Sequence, residues 1–202
     1  MSSLLFQTGP DEAWVAMDTL AVSDSVGSGA VRFFTSKVFI LPHLRLIIAG
    51  TGLGNFVPWW LGVVNQRHEG GIDELDIVAP AILADKWTEF LSFLGRVPGD
   101  KEFTVTIYHF GFSLADNLIR TYVYRSTNNF RSEPLPYGQG IKPECACAGL
   151  DVVKDTRQIM AAQRAEQAKL PPEERVYIGG EIWMYYLNRD GFGVFQVGKF
   201  DD

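Results

Sequence analysis

Cysteine and histidine are scarce in this 202-residue chain, and neither is patterned to hold a metal. The two cysteines, Cys145 and Cys147, stand a single residue apart, a spacing that suits no structural disulfide and supplies at most half of a zinc site. They read as reduced thiols near a helix start. The three histidines, His43, His68 and His109, fall in unrelated segments, so no metal is assigned. Positive charge is also in deficit: 18 Lys and Arg against 24 Asp and Glu leave a net charge of −6, the wrong sign for a surface that tracks nucleic-acid phosphates. Long apolar runs are missing, since stretches such as 44–49 fall far short of the ~20 residues that cross a bilayer. Residues 1–8 lack the charged start and apolar centre of a secretory signal. The expectation is a cytoplasmic protein with neither a membrane nor a nucleic-acid partner.

What is present is an ordinary globular composition, 47% hydrophobic and 21% charged. No internal repeat, low-complexity tract or long linker divides the chain, so 1–202 is read as one domain.

Along the chain, the turn residues Gly9-Pro10-Asp11-Glu12 separate 2–8 from an extended run over 13–22, which predicts an opening hairpin. Residues 23–29, rich in Ser and Gly, read as a loop, and a second pair of strands over 36–41 and 44–49 flanks Pro42-His43. Helical spacing of apolar residues predicts helices over 53–66 and 79–94, with Pro58 in a first turn and Gly95 as a C-terminal stop. Strands follow over 103–110, 118–125 and 137–141, then an amphipathic helix over 151–169 ending at Pro171-Pro172. Two last strands, 176–187 and 192–200, flank Asn188-Arg189-Asp190-Gly191, whose Asp-Gly marks a hairpin. Trp59, Trp60, Trp87 and Trp183 are read as core or subunit-contact positions.

Leu46-Ile47-Ile48-Ala49 and Ile182-Trp183-Met184-Tyr185-Tyr186-Leu187 are apolar without alternation, so both faces of those strands are expected to be buried. A sheet with helices on one side and a second sheet on the other meets that demand. The expected fold class is α/β (α+β), a four-layer αββα sandwich of two mainly antiparallel sheets.

Three short stretches carry the chemistry. They are Ser2-Ser3-Leu4-Leu5-Phe6, Trp14-Val15-Ala16-Met17-Asp18-Thr19 and Thr35-Ser36-Lys37-Val38, followed by the Gly-rich turn Ala49-Gly50-Thr51-Gly52-Leu53-Gly54. In this order and spacing they resemble the β-type subunits of proteasomes and their simpler bacterial relatives, which are N-terminal-nucleophile (Ntn) hydrolases. Ser2 and Asp18 are sixteen residues apart, as in that family, and Lys37 aligns after an insertion of about three residues in the preceding loop. The match covers roughly the first 60 residues; beyond them only element order agrees.

The resemblance implies a nucleophile at the start of the mature chain, here Ser2 after removal of Met1. A hydroxyl is a poor nucleophile near neutral pH, and a free α-amine with a reference pKa of about 7.7–8.0 is a base carried on the same residue. A Lys37 ammonium would lower that pKa, Asp18 would orient the lysine, and backbone N–H groups among Gly50, Gly52, Leu53 and Gly54 would hold an oxyanion. The implied activity is hydrolysis of a peptide or small amide, without cofactor or metal. The implied assembly is a homo-oligomer, in the family a ring, with an ATP-driven unfoldase as a further partner. The alternative reading is a non-catalytic structural or interaction protein with the same sandwich.

Overall fold

The computed structural model describes residues 3–25, 29–66, 70–97 and 103–201. Twelve strands and three helices among them are β1 (Leu4–Thr8), β2 (Glu12–Asp18), β3 (Leu20–Ser25), β4 (Gly29–Phe34), β5 (Val38–Leu41), β6 (Leu46–Gly52), α1 (Phe56–Asn65), α2 (Gly71–Phe93), β7 (Val105–Phe112), β8 (Ile119–Arg125), β9 (Glu133–Pro134), β10 (Gly138–Lys142), α3 (Thr156–Gln167), β11 (Glu181–Asn188) and β12 (Gly191–Lys199). They form two antiparallel five-stranded sheets, ordered β10-β1-β2-β11-β12 and β5-β6-β7-β8-β9, and a separate β3-β4 ribbon. Helices α1 and α2 cover the second sheet and α3 the first, which is the expected αββα sandwich.

The unalternated strands follow from this layering. In β6, Leu46 and Ile48 face the helices while Ile47 and Ala49 face the opposing sheet, so every position meets apolar surroundings. In β2 the alternation divides Val15 and Met17, between the sheets, from Ala16, under α3. Full burial of each such Val, Leu or Ile is worth about 1.5–3 kcal/mol, so these strands dominate the packing.

Three expectations shift. The extended run over 13–22 breaks at Thr19, because β2 belongs to the first sheet while β3 leaves it to pair with β4. The expected loop over 23–29 is mostly that ribbon, whose register places Ser25 opposite Gly29. The second helix begins at Gly71 rather than 79 and runs through Pro80. Buried Ile72, Leu75, Ala79, Leu83, Trp87 and Phe90 form a stripe along it, and this packing outweighs the backbone bond that proline removes. Gly95, with φ +68, ends that helix as expected. Of the tryptophans, Trp60 and Trp87 are buried in the helix-side core.

Between β7 and α1 lies a buried polar contact: His109, fully enclosed, accepts a hydrogen bond at Nε2 from the Trp60 indole N–H, 2.8 Å away. Burial pushes its pKa down from the usual 6.5 to about 3, so the ring stays neutral in the folded protein and can protonate only on unfolding. A group with a depressed folded pKa stabilises fully above its unfolded value and progressively less as pH falls. Below pH 6.5 the chain should lose up to roughly 1.4 kcal/mol per pH unit from this group. His109→Gln, which retains an acceptor for Trp60, should flatten that slope in urea titrations between pH 7.5 and 4.5; parallel slopes would exclude the effect.

Candidate functional site

Asp18 closes β2 and is buried, and three chain segments converge on its carboxylate. Oδ1 accepts the Ser3 backbone N–H at 3.1 Å and the Lys37 ammonium at 2.9 Å; Oδ2 accepts the Gly179 N–H at 3.1 Å. Lys37, just before β5, also donates to the Leu20 carbonyl, so its head group is anchored at two points. Burial pushes the Lys37 ammonium below its ordinary range and the Asp18 carboxyl above its own, and the attraction between the two opposes both shifts.

The start of β1 is held from the other side as well. The Ser3 hydroxyl donates to Gln163 Oε1 at 2.5 Å, and Gln163 Nε2 donates to the Pro143 carbonyl at 2.6 Å. Ser3 and Gln163 are both fully buried, so this hydroxyl is a tether turned toward α3. Gln163 and Gln167 lie on the buried stripe of α3 with Ile159 and Met160, and Gln167 Oε1 receives the Val176 N–H at 2.8 Å. Two glutamines on an apolar helical stripe were the available sequence signal for these tethers, and sequence reasoning missed it.

Of the residues singled out from sequence, Asp18 and Lys37 are thus in direct contact, and Ser3 brings the chain's beginning to them. Ser2, the expected nucleophile, lies outside the described residues. In β5 and β6, Val38 is paired with Ala49; the register continued by one residue sets Gly50 beside Lys37. Added side chains would collide at both strand glycines: at Gly50 a Cβ would meet Val57 at 2.4 Å, and at Gly52, where φ is +97, it would meet the Thr104 carbonyl at 2.1 Å. Leu53 requires a correction. Its N–H is spent on the Thr104 carbonyl at 2.9 Å, which removes it as an oxyanion donor. Gly54 is exposed in the turn into α1, with its carbonyl accepting the Val57 N–H.

Beside this cluster opens a cleft of about 600 Å³. Its floor is the face of β11 bearing Glu181, Trp183 and Tyr185, the same face whose Leu187 packs between the sheets further along. Its wall is the 34–36 segment, and Thr19 sits where the two meet, so the cleft adjoins the residues that follow Asp18 and precede Lys37. Trp183 therefore lines this cleft, in place of the core position expected from sequence. Gly180, at φ +70, lets the chain pass under Thr19 and Phe34: a Cβ there would come within 2.5 Å of the Thr19 hydroxyl and 2.7 Å of the Phe34 ring. Among the described residues no group of three or more His, Cys, Asp or Glu could hold a metal ion. None of their helices is long and apolar enough to cross a membrane.

By sequence, no family model matches and no curated protein matches. By structure, the chain is similar to Anbu, an ancestral beta-subunit from Yersinia bercovieri, with a TM-score of 0.60 over 98% of this chain and 89% of that one. The chain shares the αββα sandwich fold of that protein. At 10% identity the likeness extends to the fold alone.

The Asp18–Lys37 pair also carries a prediction about stability. Lys37→Met leaves a buried carboxylate without its cation and should lower stability by about 3–5 kcal/mol. Adding Asp18→Asn should restore part of that loss, read from denaturant midpoints; strictly additive losses would show that the pair is uncoupled.

Proposed function

We propose that the chain is a peptide- or amide-bond hydrolase whose nucleophile is Ser2, exposed as the first residue by removal of Met1. The observation that carries this reading is the shared Asp18 carboxylate, which holds both the Ser3 N–H and the Lys37 ammonium. The residue preceding Ser3 is joined to it by a single peptide bond, so the chain's beginning is tied close to a buried cation.

In the proposed reaction the Ser2 hydroxyl oxygen attacks the substrate carbonyl carbon while its proton passes to the Ser2 α-amine. The amine must be neutral to accept it, and the nearby ammonium favours the neutral form by like-charge repulsion. The tetrahedral intermediate then expels the leaving amine, which takes the proton back, and an ester remains on Ser2. Water, deprotonated by the same α-amine, hydrolyses that ester and regenerates the hydroxyl. Of the turn residues, Gly50 is our choice of donor to the oxyanion: it is the first residue of β6 past the last pair with β5, Val38 with Ala49, while on its other side it pairs with Ile107 of β7.

Asp18 acts as a positioning residue, since its oxygens are all directed at protein donors. Assembly into a homo-oligomer, a ring by analogy with the proteasome, belongs to the same proposal, as does a cytoplasmic location. Exposed Ile77, Phe93, Val97 and Leu114 supply apolar surface for subunit contacts.

Intact mass of untagged protein tests the first requirement: loss of Met1 is expected, and a retained methionine would block the amine and leave the non-catalytic alternative. Reaction with a peptide epoxyketone should then add one inhibitor mass, mapped to Ser2 and absent in Ser2→Ala. Modification elsewhere, or hydrolysis that survives Ser2→Ala, would overturn the assignment.

A further inference from the structure

We infer that the cleft beside Asp18 and Lys37 is a specificity subsite for a bulky apolar side chain of a peptide substrate, aromatic residues above all. This deepens the hydrolase reading and rests on it for the word substrate; binding in the cleft can be measured without any reaction.

The first support is that several polar groups of the cleft are already engaged within the protein. The Trp183 indole N–H donates to Glu181 Oε2 at 2.9 Å, and the Thr19 hydroxyl oxygen accepts the Glu181 N–H at 2.9 Å. On the wall, the Ser36 hydroxyl donates to the Val38 carbonyl at 3.0 Å and the Thr35 hydroxyl to the Ser36 carbonyl at 3.3 Å. Lys199 and Tyr185 add an ammonium and a hydroxyl to the lining, but the groups named above bond within the protein, so an apolar side chain placed against Phe34, Trp183 and Val194 gains mainly by leaving water.

The second support is the size and nature of that surface. Phe34, Trp183, Tyr185, Val194 and Phe200 line the space, and Phe34 is 63% exposed with Val194 at 43%. Large aromatic and aliphatic groups left open in a concavity of this size are the usual make-up of a ligand pocket, whereas isolated exposed apolar residues on a convex surface signify little. Position is the third. Thr19 follows Asp18, and Ser36 precedes Lys37, so the cleft lies one residue along the chain from each member of the buried pair, although neither member lines it.

Calorimetric titration of Ac-Gly-Gly-Phe-Gly-NH2 and Ac-Gly-Gly-Ala-Gly-NH2 tests the assignment. The phenylalanine peptide should bind about tenfold more tightly or better, as expected for burial of one aromatic ring. Val194→Trp, which fills the cleft, should abolish the difference. If that variant fails to fold, Phe34→Ser at the exposed rim should shrink it several-fold. Preference for phenylalanine without any cleavage would keep the subsite and sink the hydrolase reading. Cleavage with equal affinity for both peptides, unchanged by Val194→Trp, would sink the subsite and leave the hydrolase reading intact. Equal affinity without cleavage would overturn both.

Discussion

One carboxylate organises this end of the molecule. Asp18 is buried, and a buried charge is tolerated only when its partners are close and numerous. Its three donors come from the chain's beginning, from the segment before β5 and from the turn before β11. Remove the carboxylate and each segment loses one tether: Ser3 an acceptor for its N–H, Lys37 its counter-charge, and Gly179 an acceptor for its N–H. The two sheets set the distances, and the carboxylate decides which groups meet.

The surrounding contacts serve the same arrangement. Gln163 holds the Ser3 hydroxyl from α3, Gln167 holds Val176, and Gly180 allows the return strand to pass beneath Thr19 and Phe34. Lys37 is gripped by both Asp18 and the Leu20 carbonyl. A lysine held at two points on a rigid sheet junction gives up little further freedom on meeting a reacting group, which is the physical advantage of building a site on strands. The cleft begins where this tightly bonded region stops, and its surface is correspondingly apolar.

Much of this was legible in the residues. The unalternated run at Leu46–Ala49 demanded two buried faces and so announced the sandwich, whereas the run at Ile182–Leu187 is buried only in part, with Trp183, Tyr185 and Tyr186 half-buried. The resemblance of the Asp18 and Lys37 stretches to proteasome β-type subunits implied their meeting, and the two are in contact. What escaped were features whose cause is tertiary. Apolar spacing placed the second helix at 79–94, yet the stripe from Ile72 to Phe90 starts α2 about two turns earlier and carries it through Pro80. Thr19 looked like one more position in a long strand, although the backbone there changes partners. Leu53 stood in a plausible donor register, but the Thr104 carbonyl that consumes its N–H lies some fifty residues away. Trp183 stands in an unbroken apolar run, which concealed that its face of β11 lines the cleft while Ile182 and Met184 face α3.

The partners of this end of the molecule span almost the whole chain: Ser3 touches Gln163, 160 residues away, and Asp18 touches Gly179, 161 residues away. Such long loops close late, after local strands and helices have formed. During synthesis, therefore, the bonds of Ser3 to Gln163 and of Gly179 to Asp18 cannot form until α3 and the residues before β11 have emerged. A partly made chain has the residues but not the geometry, so whatever chemistry this corner performs is withheld from nascent and truncated products by topology alone.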